Sequence, residues 1–322
     1  MTIVRQPTRA GVRDAAAKIA AILPQTPLLT VEIRGVTVSF KAECLQPVGA
    51  FKIRGAWHRL TALDSATRER GVVAFSSGNH AQGVAWAAKR LGIPAVIVMP
   101  ADAPRVKRDA TLAMGAEVVG YERMSESREK IAAHLAHARG AALVPSFDDP
   151  WIIEGQGSAG IEAMTQMVEA KLPDPSHVIV PCGGGGLASG IALALPDAQI
   201  TVVEPEGWDD MRRSLEAGWI EPVGDNPPPT ACDALQTREV SPLTFDVLSR
   251  RGATGIAVSE AEIRAAQRWA AAKLRLVVEP GGAVGLAAVL AGKVELKPGL
   301  LVILSGGNAD PEAYAAVLGG SD

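Results

Sequence analysis

Aromatic residues make up only 4% of these 322 positions, so the interior must be built from small aliphatic side chains rather than stacked rings. Cysteine is scarce too. Cys44, Cys182 and Cys232 stand far apart, which excludes a disulfide framework, a cysteine metal cluster and a paired redox motif, and points to a reducing, cytoplasmic setting. No excess of one charge exists: 32 basic against 35 acidic residues leave a net charge of −3 without a basic arm, which argues against a nucleic-acid partner. The N-terminus carries Arg5, Arg9, Arg13 and Lys18 with no long apolar stretch behind them, so no secretory signal is expected. Val178 to Pro196 runs without charge at membrane length, but Pro181 with four glycines interrupts it. Strand, loop and helix explain that run better than a membrane span.

What the chain has in quantity is aliphatic residues, with 33 glycines and 22 prolines to punctuate them. Short β-branched runs alternate with alanine-rich helical patterns: Val72–Phe75 then Asn79–Leu91, Ala95–Met99 then Pro104–Met114, Glu117–Gly120 then Ser125–Ala138. The rhythm resumes at His177–Pro181, Leu187–Leu195, Ile200–Glu204, Met211–Ala217, Gly255–Val258, Glu260–Leu274 and Leu300–Leu304. It predicts an α/β fold of open, mostly parallel sheets. The length suits two units, with the crossing best placed at Asp148-Asp149-Pro150-Trp151.

The best candidate for chemistry is Lys52, held in Gly49-Ala50-Phe51-Lys52-Ile53-Arg54-Gly55-Ala56. A lysine beside a large ring and a glycine turn loses hydration, so its amine is more easily kept neutral and can attack an aldehyde or carry a proton. The plain alternative is a surface lysine at a helix start. After the strand Val178-Ile179-Val180 comes Gly183-Gly184-Gly185-Gly186, a glycine run that opens a helix. Its backbone N–H groups and the helix dipole suit one compact phosphate, though a turn for close helix packing would also use glycine. The spacing fits neither a P-loop nor the dinucleotide fingerprint. Ser76-Ser77-Gly78-Asn79-His80-Ala81-Gln82-Gly83 also follows a strand and starts a helix, offering hydroxyls, an amide and backbone donors. Those groups suit a carboxylate, with one hydroxyl over for proton transfer; the alternative is N-capping by Ser77 or Asn79. Ser305-Gly306-Gly307-Asn308 closes another strand at the edge where open α/β sheets place ligands.

Taken together and in this order, these segments resemble the threonine/serine dehydratase and serine racemase family of pyridoxal-phosphate enzymes. The resemblance covers nearly the whole chain and implies a tryptophan-synthase-β-like fold of two open αβα domains, with 1–61 and 150–322 as a large cofactor-binding domain and 62–149 as a small mobile one. It implies that Lys52 forms the imine with the cofactor aldehyde and then shuttles the α-proton, and that Phe51 lies against the ring. Asn79 would bond the ring oxygen, Gly183, Gly184, Gly185, Gly186 and Leu187 would hold the phosphate, and Ser305 would face the pyridine nitrogen. Ser76, Ser77, Asn79 and His80 would grip the substrate carboxylate, with Ser77 also a proton donor or acceptor on the face opposite Lys52. Ser39-Phe40-Lys41 repeats part of the lysine motif but lacks the following Arg-Gly-Ala, so Lys52 is the match.

The run Glu204-Pro205-Glu206-Gly207-Trp208-Asp209-Asp210 resembles the divalent-cation site of serine racemases, with Glu204 and Asp210 supplying carboxylates and Trp208 its carbonyl. Oxygen ligands suit magnesium, calcium or manganese; two carboxylates at a helix start also occur as simple caps. Arg128 matches a racemase arginine that reaches the active site in a closed form. Ala50 and Cys232-Asp233-Ala234-Leu235 depart from common members, so substrate choice is the loosest implication. The chain ends shortly after Leu318, leaving no room for a regulatory domain and no expectation of isoleucine feedback. The resemblance implies a homodimeric ammonia-lyase that converts L-serine or L-threonine to a 2-oxo acid and ammonium. The alternatives are a threo-3-hydroxyaspartate ammonia-lyase, a serine racemase, and a silent ligand-binding protein of the same fold.

Overall fold

A short helix, α1 (Arg9–Ala20), capped by the Thr8 hydroxyl, leads into strands β1 (Leu28–Ile33) and β2 (Val36–Lys41) in the computed structural model, which describes residues 5–76, 78–103, 105–122 and 125–320. The two strands pair antiparallel from Leu28 with Lys41 to Ile33 with Val36. Arg34 and Gly35 both take positive φ, 50° and 80°, the geometry that lets a two-residue hairpin follow the strand twist. Of this hairpin only Ser39–Lys41 is legible as a strand from its alternation, because β1 mixes exposed and half-buried positions.

Helix α2 (Lys52–Thr61) and α3 (Ser65–Arg70) then lead to β3 (Val72–Phe75), α4 (Asn79–Leu91), β4 (Ala95–Pro100), α5 (Arg105–Ala113), β5 (Glu117–Tyr121), α6 (Arg128–Arg139) and β6 (Ala142–Leu143). These strands form a parallel sheet in the order β5-β4-β3-β6. Helix α6 starts three residues later than the pattern predicts because Ser127 is extended and its hydroxyl accepts the Lys130 N–H. Pro104, the predicted start of α5, lies outside the described residues.

The chain continues through α7 (Pro150–Glu169), β7 (His177–Pro181), α8 (Gly186–Ala194), β8 (Gln199–Pro205), α9 (Asp210–Ala217), α10 (Pro242–Arg250), β9 (Thr254–Val258), α11 (Glu260–Trp269), α12 (Pro280–Leu290), β10 (Leu300–Ile303) and α13 (Pro311–Leu318). The second sheet runs β1-β2-β10-β7-β8-β9 and is parallel except for the hairpin. Its strands β7, β8 and β10 are almost wholly buried, as helices on both faces require. The single helix predicted over Glu260–Leu274 is α-helical only to Trp269 and then widens to a π turn over Ala270–Leu274. Arg275 ends that turn at φ 61°.

Charges are buried where β2, α2 and α7 meet. Arg54 bonds Glu43 through Nε and Nη2 at 2.6 and 2.8 Å and reaches Glu162 at 3.0 Å. Lys41 meets Glu162 at 2.5 Å, the Thr26 carbonyl at 2.7 Å and Gln166 at 2.7 Å. Two cations face two anions with most donors satisfied, the condition under which buried ions are tolerated. This cluster fixes the start of α2, and so the backbone of Lys52, against the large sheet. No described helix is long and apolar enough to cross a membrane.

Candidate active site

Lys52 is the first residue of α2, and Phe51 before it caps the helix with no side-chain bond. The approach to the lysine is stitched to the turn after β10: Phe51 N–H donates to the Ser305 carbonyl at 3.1 Å and Gly307 N–H to Gly49 at 2.8 Å. The Asn308 amide donates to Val48 at 2.9 Å. The Lys52 amine is enclosed, with its nitrogen 2.7 Å from the Ser146 carbonyl and 5.2 Å from the centre of the Phe51 ring. No carboxylate compensates for the lost water, so burial lowers its pKa to about 8. A substantial neutral fraction near neutrality is what a nucleophile and proton carrier needs.

The glycine run lies between β7 and α8. Gly185 is left-handed at φ 85°, and no side chain caps the helix that follows, so its first N–H groups keep their capacity for an anion. A β-carbon at Gly184 would collide with the Phe147 ring, so glycine is required there by close approach and at Gly185 by conformation. Gly183 lies against Leu235 and Thr237, which places the departing Cys232–Leu235 segment directly over the loop. Leu187 is buried in the first turn of α8. The cradle fits a compact phosphate.

Ser76 ends the turn after β3 and its hydroxyl accepts the Gly78 N–H at 3.1 Å. Helix α4 has no side-chain cap, so its free first-turn donors also suit an anion. Ser77 lies outside the described residues. Asn79 does not cap: its amide donates to Glu279 at 2.7 Å and its oxygen accepts from Asn308 at 2.7 Å. His80 is buried, with Nε2 2.9 Å from the Val144 carbonyl. Desolvation, reinforced by Lys52, lowers its pKa to about 3, so the ring is neutral and Nε2 carries the proton. Its side chain therefore has no donor left for a carboxylate; the backbone N–H does.

Ser305 is buried at the end of β10, and Gly306 beside it approaches Glu279 so closely that a β-carbon would collide with the carboxylate. Two residues with no place in the sequence-based site thus belong here, Phe147 against the glycine loop and Glu279 on Asn79, and Asn308 of the rim turn gains a role on the other side of Asn79. A clue existed for Glu279, a lone acid before Pro280-Gly281-Gly282 between apolar runs. Phe147 carried none, since its partner is a loop distant in sequence.

Arg128 stands at the start of α6, its guanidinium 5.6 Å above the ring of Phe75, the residue before Ser76, and paired with Glu129 at 2.8 Å. Glu204, the penultimate residue of β8, satisfies the first turn of α9, accepting from Met211 N–H at 3.1 Å and Arg212 N–H at 2.8 Å. Asp210 is fully buried and no side chain bonds either of its oxygens, which face only the backbone N–H groups of Val240 and of Asp210 itself, whereas neighbouring Asp209 is paired with Arg212. Burial raises the carboxyl pKa of both Glu204 and Asp210, the latter to about 7. Trp208 spends its indole N–H on Pro228 at 2.8 Å. Among the described residues no group of three or more His, Cys, Asp or Glu side chains gathers as metal ligands.

Over residues 19–306 the chain matches the family described as pyridoxal-phosphate dependent enzyme. It is 40% identical to an L-threo-3-hydroxyaspartate ammonia-lyase of Saccharomyces cerevisiae over 98% of each chain. A serine racemase of Schizosaccharomyces pombe is 38% identical over 97% of each. The crystal structure of a threonine deaminase from T.th. superposes with a TM-score of 0.88 at 41% identity, covering 94% of this chain and 99% of that one.

Proposed function

Since the chain belongs to the pyridoxal-phosphate-dependent enzymes, we propose that it is an ammonia-lyase that removes water from a β-hydroxy-α-amino acid, L-serine or L-threonine by default, to give a 2-oxo acid and ammonium. The observation that carries this reading is the enclosed Lys52 amine, which has a carbonyl but no carboxylate as partner. The residues present fit the cofactor: an uncapped helix behind four glycines for its phosphate, a buried serine for its ring nitrogen, and an enclosed lysine for its aldehyde. When bound, pyridoxal phosphate supplies the aldehyde and a conjugated ring that stabilises the electron pair left by the departing α-proton. Lys52 takes that proton, the β-carbon–oxygen bond breaks, and the leaving hydroxyl departs as water with a proton donated by the Ser77 hydroxyl or by the phosphate that the glycine loop would hold. Release of the amine yields an enamine that hydrolyses to the products. Ser305, a hydroxyl rather than a carboxylate, does not enforce a protonated ring, which favours elimination over a long-lived carbanion.

The uncapped start of α4, with Ser76, Ser77, Asn79 and His80, takes the substrate carboxylate. Phe51 lies against the cofactor ring and Leu187 adds a backbone donor for the phosphate. Residues 62–149, which contain the four-stranded sheet, act as a smaller unit that closes over the substrate. Glu204, Asp210 and the Trp208 carbonyl hold a divalent cation, magnesium, calcium or manganese; the buried Asp210 oxygens, which no side chain bonds, favour this over capping alone. The protein works as a cytoplasmic homodimer; three free buried cysteines suit a reducing compartment, and exposed Leu45 and Val277, whose neighbours Cys44 and Gly307 touch, suit a second copy.

One observation favours a second substrate. A guanidinium beside the serine-asparagine turn, from Arg128 above Phe75, suits a β-carboxylate, and a 40% identical relative is named an L-threo-3-hydroxyaspartate ammonia-lyase. Purified protein assayed for 2-oxo acid and ammonium with serine, threonine and both threo-3-hydroxyaspartates separates the two. Turnover of serine or threonine supports the default; turnover of hydroxyaspartate alone replaces it, and no turnover of any rejects both.

A further inference from the structure

Between β6 and α7 the chain leaves the sheet at Val144, bends from Ser146 to Asp149, where Asp149 N–H closes a tight turn on the Phe147 carbonyl at 3.0 Å, and meets several parts of the site in sequence. Val144 N–H donates to Val73 at 2.8 Å, the last sheet bond before the chain departs. The Val144 carbonyl takes the His80 Nε2–H at 2.9 Å, and two residues on the Ser146 carbonyl takes the Lys52 ammonium at 2.7 Å. Phe147 then lies on Gly184 and Gly186, and Asp149 caps α7 through the Ile152 N–H at 3.0 Å and pairs with Arg59 at 2.8 Å. Pro145 has no N–H, and no other backbone bond is made between Val144 and Ser146 among the described residues. Two side-chain donors on alternate carbonyls therefore set the path of this segment.

We propose that His80 is a positioning residue for Lys52: by holding the Val144 carbonyl it places the Ser146 carbonyl where the lysine nitrogen is received. This goes beyond the carboxylate grip, in which only the backbone N–H of His80 takes part. The chemistry requires the neutral Nε2–H tautomer. The depressed pKa agrees, since an imidazolium beside Lys52 would be a buried like charge. His80 Nδ1 is buried without a partner, so the ring tolerates one unsatisfied acceptor while keeping its single donor on Val144. The role is one of geometry. A lysine that must attack an aldehyde and later carry a proton needs its nitrogen fixed, and a carbonyl acceptor fixes it without supplying the charge that would keep it protonated.

The inference rests on the proposed use of Lys52, and its test separates the two. Full-length wild type, His80→Leu, His80→Asn and His80→Gln are compared by hydrogen exchange of the Ser146–Asp149 amides and by the rate at which pyridoxal 5′-phosphate, added to cofactor-stripped protein, forms its imine absorption band. Gln carries an amide donor near the position of Nε2, whereas Asn is too short and Leu has none. In the Leu and Asn variants the amides should exchange about tenfold faster and the band form about tenfold more slowly, roughly the effect of one buried hydrogen bond, with Gln within about threefold of wild type. If Leu fails to fold, Asn against Gln decides alone. Equal behaviour of Asn and Gln, or no change in either, overturns the inference. A wild-type chain that forms no band overturns the reading of Lys52 instead, while the exchange data still judge His80.

Discussion

Lys41 is fully buried and Lys52 half-buried, yet only the first is neutralised by its neighbours: Lys41 meets the Glu162 carboxylate at 2.5 Å, while Lys52 meets the Ser146 carbonyl at 2.7 Å. Burial lowers the pKa of each, but carboxylates oppose it at Lys41 and nothing does at Lys52. The same Phe-Lys dipeptide thus yields an ion-paired lysine in β2 and an amine without a carboxylate partner in α2.

The pH dependence of imine formation follows from that difference. The neutral amine is the nucleophile, and the folded pKa of Lys52 lies at about 8 against an ordinary 10.5, so the rate with added pyridoxal phosphate should rise as pH passes through about 8. Stopped-flow absorbance on cofactor-stripped protein reads this directly. A rise centred near the ordinary lysine value would mean that the amine is solvated.

Asn79 cannot turn freely while Glu279 holds its N–H and Asn308 its oxygen. Glu279→Ala should leave the fold intact and weaken cofactor binding about ten- to hundredfold, the effect of losing a hydrogen bond to a charged partner. Glu279→Gln should recover part of it. Equilibrium titration measures the change, and an unaltered affinity in the alanine variant would remove Asn79 from the cofactor site.

Arg54→Met leaves Glu43 buried with its guanidinium partner gone. Urea unfolding should show a loss of about 3–5 kcal/mol, the range for breaking a buried pair on one side. A loss under about 1 kcal/mol would show that water enters the cluster.

Glu204 and Asp210 have raised pKa values in the folded chain, from burial first and mutual repulsion next at Glu204. Without a cation, the stability that their protons provide is present at low pH and lost as pH rises through about 7. A bound divalent cation replaces those protons. Chelation should therefore lower the melting temperature more at about pH 8 than at about pH 5.5, and Asp210→Asn should abolish the difference. Equal effects at both pH values would leave the two acids as a proton-sharing cap.

The parallel sheets and the glycine-rich and serine-asparagine turns at their strand ends were legible in the sequence because each depends on local signals: alternating aliphatic runs, a glycine stretch, a serine-asparagine turn after a strand. Lys52 stood out for the same reason. The hairpin strand β1 was not, since its half-exposed residues give no clean alternation. The Val144–Phe147 segment and Glu279 were hidden because their roles arise from contacts with residues distant in sequence: Val144 with His80, Ser146 with Lys52, Phe147 with Gly184, Glu279 with Asn79.

The central claim is that Lys52, not Lys41, bonds the cofactor. Borohydride reduction of the protein with pyridoxal phosphate, followed by peptide mass mapping, tests it. The account predicts a single pyridoxyl group on Lys52 and none in Lys52→Ala; labelling of Lys41, or of no lysine in cofactor-replete protein, would contradict it.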